Sequence, residues 1–218
     1  AAPAVSMPRD GGVEAEQARF EATADLIRRD LTQIKGFATL RDQVKFSVTS
    51  EGLRIDLVDK QASSFFDSGS AALRGESEQI LGLIAHELGA LSNDVVVEGH
   101  TDSRQYADGD RYGNWELSAE RANAARRVME QFGLRSGQVR AVRGYADRQL
   151  QLPTTPLDPR NRRVSIVVRS EASRTLEDQL RDPVKPRESV AETTEPKNGA
   201  EEAAAESGAR PGRTRRKS

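Results

Sequence analysis

Residues 97–122 read VEGHTDSRQYADGDRYGNWELSAERA, and they place a strand end, a turn, a loop and a helix start in one run. The apolar stretch DVVVEG at 94–99 predicts a buried strand. Gly99-His100-Thr101-Asp102 turns the chain out of it, and a loop rich in Tyr, Asp and Gly fills 101–113. Helical spacing follows over 115–132 and stops at Gly133. Counted at about 100° per residue from Leu117, the residues Ala124, Ala125, Val128 and Phe132 fall in one narrow sector. Arg121 falls inside that sector. A guanidinium on a core-facing stripe is costly unless it is paired. Asp102, at the end of the preceding strand, is the nearest expected partner. The same two charges also suit a zwitterionic ligand, because Arg grips a carboxylate with two prongs and Asp accepts from an ammonium.

Working outward, Val44, Phe46 and Val48 alternate over 43–49, and Leu53, Ile55 and Leu57 over 52–58. Ser50-Glu51-Gly52 between them is hairpin chemistry. A loop at 59–70 carries Phe65 and Phe66. A helix over 70–91 puts Leu73, Ile80, Ile84, Leu88 and Leu91 on one face. QVRAVRGY (138–145) reads as a strand, 146–160 as a Pro-rich loop, and RRVSIVVR (162–169) as the closing strand. The order β-β-α-β-α-β-β predicts an α/β (α+β) fold, a mixed sheet with helices packed on one face.

Three regions are expected. Residues 1–42 form a linker with an amphipathic helix: Phe20, Ala24, Ile27, Leu31 and Ile34 recur at helical spacing over 16–40, Gly36 is the expected C-cap, and 1–15 is a mobile lead-in. Residues 43–170 form the folded domain. Residues 171–218 form a largely disordered charged tail, with a short helix near 172–181. Leu176, Leu180, Val184 and Val190 are the large aliphatics there, too few to offset the entropy of ordering. The basic end RPGRTRRKS reads as a solvated tail.

Composition narrows the function. Of 218 residues, 31% are charged and 36% hydrophobic, and the net charge of −1 gives no general case for nucleic-acid binding. The absence of cysteine removes disulfides, thiolate chemistry and Cys-ligated zinc. No run of roughly 18 apolar residues spans a bilayer. The chain opens AAPAVSMPRDGG without an initiator Met, as expected of a shortened chain or one cut after a small-residue signal-peptidase site.

Catalytic constellations are thin. His86-Glu87 would need a second His at position 90 to grip zinc, and Ala90 stands there. His100-Thr101-Asp102 is too local for a triad, and Glu98 with Asp102 is a conceivable carboxyl pair of a common kind. No enzyme chemistry, metal or cofactor is expected. Thr101, Tyr112, Asn114 and Trp115 cluster with Asp102 and Arg121 at a strand end and helix start, the crevice where open α/β sheets bind ligands. A helix N-terminus there favours an anionic group. Asn161-Arg162-Arg163 stands to line the same rim. A plain structural salt bridge between Asp102 and Arg121 remains the alternative.

GHTD, Asn114-Trp115-Glu116-Leu117-Ser118, Glu120-Arg121-Ala122-Asn123 and Asn161-Arg162-Arg163-Val164 together resemble the OmpA-like peptidoglycan-binding family. Within it, YADGDRYGNWELSAERANAARRVM, GYAD (144–147) and LRIDLVDKQASSFFDSGSA (53–71) are similar to the MotB family of flagellar motor stator proteins. The resemblance covers roughly 43–170. It implies a non-catalytic peptidoglycan binder. Asp102 and Arg121 match the pair that holds a diaminopimelate head group in the family, and Thr101, Asn114, Leu117, Ala122 and Arg163 match pocket-lining positions. It further implies a periplasmic domain and a homodimer. A MotA-type stator channel subunit joins through an inner-membrane helix that this chain lacks. Pairing is expected also because Ile27 and Leu31 need a surface to bury against. Another wall-binding periplasmic protein of the OmpA family, or a peptidoglycan hydrolase, are the alternatives.

Overall fold

The two alternating runs fold as the expected hairpin. Strands β1 (Val44–Thr49) and β2 (Gly52–Val58) pair antiparallel, with Phe46 opposite Ile55. Gly52 closes the turn at φ 135°, and a Cβ there would stand 1.9 Å from the Val168 carbonyl oxygen, so only glycine fits. The structure is a computed structural model that describes residues 10–60, 65–105 and 112–181. All of these lie in one unit, Ala1–Asp182. The expected tail beyond 181 and its basic end fall outside the described residues, as does the loop segment 106–111.

Three more strands complete the sheet: β3 (Val95–His100), β4 (Val139–Gly144) and β5 (Arg163–Arg169). The order is β1-β2-β5-β3-β4. The last strand inserts in the middle, antiparallel to both β2 and β3, while β3 and β4 run parallel. The expected mixed sheet is therefore present.

Period-two alternation decides the faces. Leu53, Ile55, Leu57, Val95, Val97, Val164, Ile166 and Val168 all join one apolar core. Helices α1 (Asp10–Leu31), α3 (Gly75–Gly89) and α4 (Asn114–Phe132) cover that face. A four-residue helix, α2 (Phe37–Leu40), follows α1, and α5 (Glu171–Arg181) follows the sheet. Helix α4 sits close on the sheet, since a Cβ on Gly99 would stand 1.9 Å from the Ser118 carbonyl oxygen.

Several boundaries differ from expectation. The first helix begins at Asp10 and ends at Leu31. Gly36 has the left-handed φ of 89° but precedes α2 instead of capping α1. The apolar stripe of α1 is not left over for a partner: Phe20, Ala24, Ile27 and Leu31 are buried in the same core as β2 and α3. The argument for pairing from Ile27 and Leu31 therefore falls away. Phe132, placed in the core sector of α4, is 49% exposed and lies against Gly82. No helix among the described residues is long and apolar enough to cross a membrane.

Candidate functional site

The end of β3 and the start of α4 are tied together by Asn114. Its Nδ2 donates to the carbonyl oxygens of Asp102 at 3.2 Å and Arg104 at 2.9 Å. The helix start is further held by the Gly113 N–H, which donates to Glu116 Oε2 at 2.8 Å. On the other side, Thr101 N–H donates to the Ala146 carbonyl and Ser103 N–H to that of Pro156. Asn161 is fully buried and knots the Pro-rich loop: it accepts from Leu152 N–H and donates to the Thr155 and Pro156 carbonyls.

These ties shape an open crevice of about 140 Å³. Thr101, Asp102, Asn114, Leu117 and Arg121 line it, with Ser68, Gly69, Arg104, Gln105 and Arg162. The structure thus brings five of the seven expected residues together. The other two stand elsewhere. Ala122 is fully buried in the core, because it lies on the inward side of α4. Arg163 lines a smaller neighbouring hollow with Leu57, Asp59, Phe65 and Val164, and its Nη2 donates to the Gln149 carbonyl at 3.0 Å.

The expected Asp102–Arg121 pair is replaced by another. Asp102 Oδ2 receives Arg162 Nη1 at 3.0 Å, with Arg104 Nε 3.8 Å away, and Asp102 Oδ1 accepts the Arg104 N–H. Arg162 also gives its Nε to Asp59 at 3.1 Å. Arg121 is buried, donating to the Ser70 carbonyl at 2.9 Å and lying over the Phe66 ring at 5.1 Å. The two charges still face one crevice, but each is oriented by a different neighbour. Arg162 was legible in principle: it has the parity of Val164, Ile166 and Val168, so it points to the helix side, while Arg163 points away. Ser68 and Gly69 carried no such signal, because a loop between β2 and α3 brings them in.

Behind the crevice, on the opposite sheet face, Glu98 and His100 are buried. Arg54 Nη2 meets Glu98 Oε2 at 2.9 Å, and Arg143 and Tyr145 approach its other oxygen at 3.5 and 3.4 Å. Burial opposes the charge on Glu98, but the Arg54 guanidinium beside it outweighs burial and holds its pKa well below the usual carboxylate range. His100 stacks on Tyr145, with its Nε2 3.9 Å from Glu98, beyond ordinary hydrogen-bond reach. Burial pushes its pKa down despite Glu98. Glu98 and Asp102 therefore have separate partners and do not flank one cleft. His86 is exposed on α3. Among the described residues, no group of three or more His, Cys, Asp or Glu is placed to hold a metal.

Residues 65–163 match the model of the OmpA family. The chain is 40% identical over 147 residues to motility protein B of Escherichia coli K12, covering 65% of this chain and 48% of that protein. It is 32% identical to a putative truncated flagellar export/assembly protein, LafU, of the same organism, over 72% of this chain and 79% of that one. In three dimensions it is similar to the cell wall anchor of the T6SS from Pseudomonas aeruginosa, with a TM-score of 0.51 and 27% identity, covering 71% of this chain and 97% of that chain. The chain spans about half the length of motility protein B. With LafU covered to 79% at 32% identity, and a matched segment that begins in the Phe65 loop, takes in the crevice and ends in the first residue of β5, this chain belongs to the OmpA family.

Proposed function

We propose that this domain is a non-catalytic peptidoglycan binder that anchors a flagellar stator unit to the cell wall. One observation carries the reading: an open crevice at the strand ends gathers Asp102 with Arg104, Arg121 and Arg162 beside the first turn of α4. Peptidoglycan stem peptides offer free carboxylates and an amino-acid head group, which such a set of charges recognises. The named function of motility protein B, and the description of the Pseudomonas neighbour as a cell wall anchor, support it. The family likeness brings two partners into the proposal, a second copy of the chain and a MotA-type channel subunit joined through a membrane segment, and it puts the domain in the periplasm. An open site that grips one head group binds at about micromolar to millimolar strength.

The test is co-sedimentation of the chain with insoluble peptidoglycan. Asp102→Asn and Arg121→Gln, each checked for folding by circular dichroism, are expected to lower retention at least about tenfold, the loss of roughly 1.4 kcal/mol of binding. Wild-type retention by both folded variants would overturn the assignment of the crevice. Release of soluble wall fragments in the same mixture would make the protein a hydrolase instead.

A further inference from the structure

We infer that Asp59, which does not line the crevice, is the positioning residue that sets its geometry; this rests on the binding reading above. Asp59 is the first residue after β2 and is only 3% exposed. Its Oδ2 receives Arg162 Nε at 3.1 Å, and its own N–H donates to the Arg162 carbonyl at 3.0 Å. Arg162 is thus fixed at both backbone and side chain, with its Nη1 left to reach Asp102 at 3.0 Å. The other oxygen, Oδ1, accepts the Phe65 N–H at 3.4 Å and so holds the start of the loop that precedes α3. That loop supplies the Ser70 carbonyl and the Phe66 ring that seat Arg121. One buried carboxylate therefore acts on both signs of charge in the crevice, on Asp102 through Arg162 and on Arg121 through the loop. A planar fork is needed for the first arm, since Arg162 addresses two carboxylates from different nitrogens, which a lysine point charge does not do.

The experiment uses the full chain with Asp59→Asn, and with the double variant Asp59→Asn/Arg162→Gln. The double variant removes both members of the Asp59–Arg162 pair and leaves Asp102 with Arg104 as its nearby cation. Two readouts are taken: retention on insoluble peptidoglycan, and the side-chain Nε–H resonances of Arg121 and Arg162 by nuclear magnetic resonance. In Asp59→Asn both resonances shift while that of Arg126 on the outer side of α4 stays, and wall retention falls at least fivefold. The double variant, combined with Asp102→Asn so that no carboxylate of the trio stays charged, recovers melting temperature relative to Asp59→Asn but not the retention. A cycle with Asp102→Asn gives effects on retention that do not add, since both act through one carboxylate. Movement of the Arg162 signal alone, or retention restored together with the melting temperature, would overturn the inference. If the wild-type chain does not sediment with the wall at all, the binding reading fails, and the resonances alone decide whether Asp59 positions both arginines.

Discussion

At the scale of single residues, the sheet face turned away from the helices mixes buried valines, Val96 and Val167, with charged groups, and it carries an acid-sensitive pair. Glu98 and His100 both have pKa values below their ordinary ones, because burial keeps His100 neutral and the surrounding cations keep Glu98 charged. Depressed values mean that the unfolded chain binds protons first, so stability is lost as the pH falls. His100 begins to subtract below its ordinary value of 6.5. The Glu98 contribution is present above 4.5 and is lost as the pH falls toward about 2. A displacement of that size in a buried group corresponds to about 2–4 kcal/mol. Thermal melts from pH 7 to pH 2 are expected to show a steep loss below pH 4.5 that Glu98→Gln flattens. An equally steep loss in the variant would show that other groups carry the acid response. In the crevice, the residue types were legible from the sequence, but the partner of each charge was not. Arg121 sits on the inward side of α4, as its spacing requires, yet its guanidinium is satisfied by the carbonyl of Ser70, fifty-one residues earlier in the chain.

At the scale of elements, α1 is part of the domain and not an appendage to it. Its stripe of Phe20, Ala24, Ile27 and Leu31 is closed over by α3, β1 and β2. Arg28 adds a cation–π contact over Phe46 at 4.7 Å, and Glu16 accepts from the Glu171 N–H at 3.1 Å, tying α1 to the first residue of α5. Leu31 is fully buried, so Leu31→Ala is expected to cost about 2–5 kcal/mol of global stability through lost transfer and the cavity left behind. Urea melts followed by fluorescence of Trp115 and by circular dichroism would show one shifted transition. Two separate transitions, with the Trp115 signal unshifted, would mean that α1 melts by itself. Alternation placed β1 and β2 to within a residue or two, because a half-buried strand repeats every second residue, and β5 was legible instead as an apolar run, being buried on both faces. Helix α1 was harder to bound: it begins six residues upstream of 16 and runs through Gly11 and Gly12, which disfavour helix, with Val13 as the one large apolar residue there.

At the scale of the whole molecule, one shallow crevice offers too little contact for durable attachment to a polymer. Two domains held on one strand would raise the effective concentration of the second, and avidity exceeds single-site affinity by about 10²–10⁴ without any new contact. A tandem of two copies joined by a flexible linker is expected to be retained on insoluble peptidoglycan at roughly a hundredfold lower protein concentration than the single chain. Equal retention of tandem and single chains would show that the crevices cannot engage one wall together. The sequence by itself determined the class of the fold, the identity and order of the strands and helices, and the loop where the charges gather, since periodicity and turn residues are local properties. The tertiary structure alone decided that β5 enters between β2 and β3, because antiparallel pairing on both its edges is a choice among distant strands. That insertion brings Arg162 beside Asp59 and Asp102, and it explains why Arg162, not Arg163, faces the crevice. Which charges meet is a property of chain crossing and parity together, and neither neighbour of Arg162 lies within fifty residues of it.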